Sequence, residues 1–406
     1  MRSLQFRTDL PRLVLGLAYA RISGYPALFP TAPLVLRHAR TLDRLGDHVV
    51  RVRTRLGGIC GSDLHMLKVE VSRHSSVVAT RRDSLGSVTY PGHEAMGEVV
   101  AVGAAVRRVA VGQRVVLVPG VFCSVFDDDA ACEFCRQGHI ALCRRRAERP
   151  PFHVGGGWSE EFVRHESQLY PLPDAIDDET AVMIEPAGCS LHAILRRAPR
   201  DGDRILILGT GMIGLGMISA LRALGVRVRI VALARHAFQA DAAKALGADD
   251  AVGHVGGDVY ETLAATLGTR VQGRHKGNRY LIDGFDAVYD CVGSARSLHD
   301  AIRWCRPRGT VLLEGINMYP GVLDRTQVWR RELDILGTIG QGMDEWEGQR
   351  RNTFEWVIDW LREGRLSLNG LLSHRFPQHE YKQAIRTAIA KRKTGAIRVA
   401  LDFRGS

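Results

Sequence analysis

The run Arg204-Ile-Leu-Ile-Leu-Gly-Thr-Gly-Met-Ile-Gly214 restricts the fold of this chain more than any other stretch. An apolar segment of strand length delivers three glycines spaced G-x-G-x-x-G, and an apolar, helix-like segment follows to about Leu224. Each glycine has a physical use: Gly209 for the tight turn, Gly211 for close approach of a pyrophosphate to the backbone, Gly214 for close helix–strand packing. The spacing alone is weak evidence. Its place between a strand and a helix makes it a dinucleotide fingerprint, with Met212 and Ile213 inside the cofactor contact. Strand-like and helix-like segments go on alternating. Val226–Leu233 reads as a strand, Ala237–Leu246 as a helix stopped by Gly247, and Asp286–Val292 and Thr310–Glu314 as further strands. That alternation predicts a parallel, doubly wound α/β sheet, with Val292 and Gly293 also placed at the cofactor.

The second strand ends in Ala234-Arg235-His236, where an NAD site ordinarily presents a carboxylate to the ribose hydroxyls; none occurs until Asp241. A small residue followed by arginine removes repulsion and offers a cation to a 2′-phosphate, which favours NADP over NAD. The competing reading lays Arg235 over the adenine of NAD.

The N-terminal half has a different pattern. Val49–Leu56 alternates apolar residues with arginine, as a half-exposed strand does, and leads into Cys60-Gly-Ser-Asp-Leu-His65. About thirty residues on stands Gly92-His93-Glu94. A thiolate, an imidazole and a carboxylate suit Zn²⁺, and three protein donors with an open position suit a catalytic zinc. Ser62 and His65 lie at spacings that could carry a proton away from a reacting oxygen. Glu98–Val102 and Arg114–Val118 read as further strands. Cys132-x₂-Cys135-x₇-Cys143, with Cys123 upstream, has the makings of a closed four-thiolate zinc site that staples a loop. Cys291 and Cys305 read as small core residues, and Cys189 as a helix-face residue.

The chain has 406 residues, 45% hydrophobic, enough for two domains. Its net charge of +11 comes from scattered arginines without a zinc finger, an aromatic RNA platform or a basic tail, which argues against specific nucleic-acid binding. Clustered cysteines in a chain of this size point to metal ligation in a reducing cytoplasm. The apolar run from Leu13 to Ala20 is too short for a membrane span. Residues 1–45 are expected to wrap over the surface. Residues 66–90 and the basic stretch Gln272–Asp283, with Arg274, Lys276 and Arg279, are expected to be inserted loops.

Taken together, Gly58-Ile-Cys-Gly-Ser-Asp-Leu-His65, Pro91-Gly-His-Glu94, the cysteine lobe, Gly157-Trp-Ser-Glu-Glu-Phe162, Glu185-Pro-Ala-Gly-Cys-Ser-Leu-His-Ala193, the glycine loop and Leu246-Gly-Ala-Asp249 resemble the zinc-containing medium-chain dehydrogenase/reductase superfamily. The match covers roughly residues 45–404 in the family's order. It implies a GroES-like β-rich catalytic domain (1–194, with a structural zinc lobe at about 119–146), a Rossmann NAD(P)-binding domain (195–338) and a C-terminal return to the catalytic domain (339–406). It makes Cys60 and His93 zinc ligands and leaves the third place to Glu94 or to Glu185, which stands where polyol dehydrogenases carry glutamate. Asp63 would orient the imidazole of His93, and Cys123, Cys132, Cys135 and Cys143 would hold the second zinc. Two departures stand out: eight residues separate Cys123 from Cys132 where the family usually has two, and the Cys60-to-His93 connection is long.

The resemblance implies NAD(P)-linked interconversion of a secondary alcohol, polyol or sugar with its ketone, on a small-molecule substrate, by a homodimer or homotetramer. A zinc-free enone or quinone reductase is the alternative, and it has no use for Cys60, His93 and a four-cysteine lobe. A non-catalytic binding protein that has kept the fold is the reading from another class.

Overall fold

The computed structural model describes all residues except 8, 10, 13, 17, 19–32, 69–87, 128–129, 254–256, 274–277, 317–320 and 406. Two compact units emerge, Met1–Glu185 with Leu372–Ser406, and Pro186–Leu371.

The first unit is built on a seven-stranded sheet. Val49–Gly58 lies near its centre, between Ala95–Val102 and Arg398–Asp402, and Glu161–His165 also pairs with it. The expected alternation is present: Val50, Val52, Thr54 and Leu56 are buried while Arg51, Arg53 and Arg55 reach outward. The N-terminus departs from expectation. Residues 1–45 do not all run over the surface, because Arg2–Arg7 pairs antiparallel with Leu34–His38 and with Val88–Thr89. Leu4, Phe6 and Leu34 enter a core with Ile59, Trp158, Leu401 and Phe403. The prolines of this region obscure a short strand whose partner is distant in sequence.

The second unit holds a six-stranded parallel sheet in the order Asp250–Gly253, Arg229–Ala234, Arg204–Leu208, Phe285–Asp290, Cys305–Leu313, Asp334–Gly337. The strand order reverses between Arg204–Leu208 and Phe285–Asp290, so the loops after these two strands open at the topological switch point. Those loops are Gly209–Gly211 and Cys291–Gly293. Residues 339–371, placed by the sequence reading with the first domain, belong to this unit. Ser219 donates to the Ser367 carbonyl at 2.7 Å, Arg365 donates to the Ala223 carbonyl at 2.9 Å, and Phe354 packs on Gly188. Residues 186–194 join it as well, through Ser190, which donates to the Ile213 carbonyl at 3.0 Å. The stretch from Gln272 is a small hairpin, Val271–Gln272 against Tyr280–Leu281, of which 274–277 lie outside the described residues. Arg279 is spent on Asp258 and Glu261. Most of the expected 66–90 loop also lies outside the described residues, as do Asp128 and Asp129.

Candidate active site and metal centres

Strand pairing brings Cys60 and His93 together. Gly57 stands opposite Ala95, so the end of one strand delivers Cys60 beside the residues that open the other. The Gly58 amide donates to the Glu94 carbonyl at 2.7 Å, and Ile59 donates to Val399. Gly92 requires glycine: its φ is +87°, and a Cβ would meet the Trp158 side chain at 2.4 Å. The Trp158 indole donates to the Gly58 carbonyl at 2.9 Å, which ties the Gly157-Trp158 motif to the Cys60 turn.

Ligand atoms of Cys60, His93 and Glu94 all lie within 4.8 Å of one another. Asp63 is buried, accepts from the Cys60 amide at 2.9 Å and sits 3.7 Å from Nδ1 of His93. Burial opposes charge on the ring, but Asp63 and then Cys60 outweigh it and raise His93 well above its ordinary value. Burial likewise pushes the Cys60 thiol up. The hydrogen bond and charge of His93, then Arg398, prevail and bring it down to about 6. A thiol, an imidazole and a carboxylate held this close can be bridged by one divalent cation, and the sulfur–nitrogen–oxygen set fits zinc. Ser62 and His65 lie three apart on the helix Gly61–Leu67, hence on one face of it. Glu185 is buried in the first turn of the helix Ile184–Leu195, and the three-atom cluster does not include it.

Arg398 is the residue beside this cluster that the motifs did not reveal. It is buried, forms an ion pair with buried Glu94 and donates to the Ile59 carbonyl at 2.8 Å. Its only signal in sequence is a lone arginine within the apolar closing strand.

The cysteine lobe assembles all four sulfurs within 4.8 Å, Cys123 included despite its long gap. Sγ of Cys143 lies 3.7 Å from Cys123 and 3.9 Å from Cys132. Four sulfurs held tetrahedrally about 2.3 Å from one ion would be about 3.8 Å apart. Backbone amides of Cys132 and Arg145 donate to Cys123 and Cys143 sulfurs at 3.2 and 3.3 Å. The Arg144 backbone lowers the Cys132 thiol to about 6, while burial raises Cys135 and Cys143. One thiolate thus discourages the others until a cation compensates them.

In the second unit the glycine loop meets its expected constraints. Gly209 has φ +98°. A Cβ on Gly214 would lie 2.1 Å from the Gly209 carbonyl oxygen, and one on Gly211 would meet nothing within 4 Å. Gly211 caps a 12-residue helix, Met212–Ala223, whose first amides are available to an anion. Thr210 Oγ1 is buried without a hydrogen-bond partner among the described residues, which fits a loop built for a ligand. Asp290 accepts from the amides of Val292 and Gly293 at 3.0 and 3.1 Å and fixes the neighbouring loop. Ala234 is buried at the strand end; Arg235 is exposed, with no ion-pair partner among the described residues.

A parallel sheet with a glycine loop at its switch point, and a β-rich unit carrying a Cys–His–Glu cluster and a four-cysteine lobe, define a zinc-type dinucleotide-dependent dehydrogenase. Residues 46–174 match the alcohol dehydrogenase GroES-like domain, and residues 213–363 match the zinc-binding dehydrogenase family. An L-idonate 5-dehydrogenase of Vitis vinifera is 30% identical over 368 residues, 89% of this chain and 90% of that protein. A sorbitol dehydrogenase of Arabidopsis thaliana is 30% identical over 366 residues, again covering 89% and 90%. The solved 2R,3R-butanediol dehydrogenase of Bacillus subtilis shares the fold, with a TM-score of 0.71 at 22% identity over 99% of both chains. The chain belongs to the zinc-containing medium-chain dehydrogenase/reductase superfamily, as an oxidoreductase acting on CH–OH groups with NAD(P). No helix among the described residues is long and apolar enough to cross a membrane.

Proposed function

We propose that this chain interconverts a polyol or related secondary alcohol with its ketone, using NADP, with Cys60, His93 and Glu94 as the protein ligands of a catalytic zinc. The convergence of these three donors within 4.8 Å carries the reading; the polyol class is supported by relatives named for L-idonate and sorbitol. When bound, zinc supplies a Lewis acid for the substrate oxygen, and the nicotinamide accepts hydride. Asp63 holds the imidazole of His93 in orientation. Arg398 balances the charge of Glu94, so that Cys60 and Glu94 do not leave a surplus of buried negative charge. Ser62 takes the proton that the alcohol releases, and His65, one helical turn on, hands it outward. Cys123, Cys132, Cys135 and Cys143 hold a structural zinc that tightens their loop. Arg235 receives the 2′-phosphate of the cofactor, for which buried Ala234 leaves room.

Eight cysteines, none of them in a disulfide, support residence in the reducing cytoplasm. Among the described residues the outer strand Asp334–Gly337 is paired on one side only, with Trp329 and Ile339 exposed nearby in sequence, which supports assembly with a second copy. The test is direct. Purified protein is assayed for zinc content and for nicotinamide absorbance change with NADP across polyols, sugars and simple primary alcohols. Zinc-dependent reduction of NADP on polyols is the expected result; a zinc-replete protein inert on every secondary alcohol would overturn the reading.

A further inference from the structure

Away from both proposed zinc centres, three side chains from separate segments converge on the first unit's sheet. His48 immediately precedes Val49–Gly58, and His165 ends Glu161–His165. Val49 and His165 are direct antiparallel partners, so strand register sets the two imidazoles side by side, with ring centroids 5.7 Å apart. Asp127 arrives from the long gap between Cys123 and Cys132, where it closes a short 3₁₀ turn with φ +50°. Aspartate tolerates this left-handed conformation better than most residues. One ring nitrogen of each histidine and a carboxylate oxygen of Asp127 all lie within 4.8 Å of one another.

The surrounding hydrogen bonds orient both imidazoles. The Glu166 carboxylate accepts from Nδ1 of His48 at 2.7 Å, which leaves Nε2 with its lone pair; the other Glu166 oxygen accepts from the amides of Arg107 and Arg108. His165 presents Nε2 to Asp127 Oδ1 at 2.9 Å; its Nδ1 accepts from the Ser167 amide at 3.1 Å and lies 2.7 Å from Ser167 Oγ, so a proton moved to Nδ1 would be donated to that hydroxyl in place of the amide bond. Imidazoles oriented by carboxylate or hydroxyl partners are the usual arrangement around a ligated ion. Two donors 2.9 Å apart and each about 2.1 Å from an ion subtend roughly a right angle there. That angle suits octahedral coordination, and an opening of about half an ångström reaches the tetrahedral one. His165 is almost wholly buried, whereas His48 and Asp127 are partly exposed, so an ion could enter from solvent and keep water in its remaining positions.

We propose that His48, Asp127 and His165 form a third metal site, for a divalent ion of the zinc, nickel or cobalt class that prefers imidazole with carboxylate. An ion there takes the place of the proton shared by His165 and Asp127; that proton moves to Nδ1, which gives up the Ser167 amide and donates to Ser167 Oγ instead. It would cross-link the cysteine-bearing loop to the sheet. The site rests on none of the residues assigned to substrate, cofactor or the two thiolate zinc centres.

The experiment uses full-length protein loaded with two zinc ions per chain, as metal analysis verifies after gel filtration, then titrated with Ni²⁺ by isothermal calorimetry, with metal content read after a second gel filtration. Wild type should take up one further ion per chain. His48→Gln and Asp127→Asn, both at partly exposed positions, should each weaken that uptake at least tenfold while zinc content and far-ultraviolet circular dichroism stay unchanged. Uptake unaltered in both variants would overturn the proposal, as would wild type that binds no further ion at millimolar free Ni²⁺. Should one variant lose its fold, the other decides, and a Ni²⁺-dependent rise in wild-type melting temperature absent from that variant supports the site.

Discussion

Substituting the two inner glycines of the nucleotide loop separates packing from cofactor approach. At Gly214 an added Cβ would lie 2.1 Å from the Gly209 carbonyl oxygen and 3.0 Å from the Ile207 side chain. An ordinary carbon–oxygen contact is about 3.3 Å, so Gly214→Ala must push the helix from its strand by about 1.2 Å. Overpacking of this kind costs roughly 1–3 kcal/mol, a fall in melting temperature of about 2–12 °C for a domain of this size. At Gly211 the added methyl meets no protein atom within 4 Å, and its φ of −79° is open to alanine. Gly211→Ala should therefore cost no more than about 1 kcal/mol of stability, through the poorer N-cap. It should nevertheless block the pyrophosphate. Loss of one charge-assisted hydrogen bond, about 1.5–3 kcal/mol, corresponds to roughly 10- to 150-fold weaker binding. Differential scanning fluorimetry and calorimetric titration with NADPH measure the two effects separately. If Gly211→Ala binds the dinucleotide within threefold of wild type, the phosphates do not pass over Gly211, and the assignment of this loop is wrong.

Wild-type protein should carry two zinc ions in its thiolate sites: Cys135→Ser should lose about one together with thermal stability, while Cys60→Ser should lose the other and all activity with the fold retained, as metal analysis and circular dichroism would show. Ala234→Asp with Arg235→Leu should shift kcat/KM from NADP toward NAD by about tenfold or more; a wild type already better with NAD refutes the arginine argument. Ser62→Ala should reduce kcat by roughly 10²–10⁴-fold with little change in cofactor affinity, and His65→Gln should produce a milder loss that small buffer bases restore; an unaltered pH–rate profile in His65→Gln removes His65 from the relay. Burial, then the charge of Arg164, lowers His153 to about 3 against an ordinary 6.5. As pH falls from 6.5 toward 3 the unfolded chain gains a proton that the folded chain refuses, so stability declines by up to about 1.4 kcal/mol per pH unit. Urea unfolding of His153→Gln should show a shallower decline in that window, and identical slopes would count against a neutral, buried His153.

What could be read from the chain alone was written in short-range spacing. The glycine loop, the alternation of Val50 to Leu56 and the Cys132–Cys135 pair depend on neighbours a few positions apart, so local backbone geometry and ligand chemistry were enough to interpret them. The N-terminal strand escaped because Leu4 and Phe6 mean little without Leu34 and Trp158, which tertiary folding supplies. Cys60 and His93 were recognisable as donors, but their convergence, and the inclusion of Glu94 without Glu185 in the cluster, were set by the pairing of Gly57 with Ala95. Arg398 reaches Ile59 across 339 positions, and no local pattern marks a buried arginine whose charge partner lies just ahead of another strand. The same holds for His48, Asp127 and His165. Each is unremarkable in its own segment; strand register pairs the two histidines and the cysteine-bearing loop brings Asp127 to them, because long-range contacts decide which polar side chains become neighbours and therefore which of them can act together.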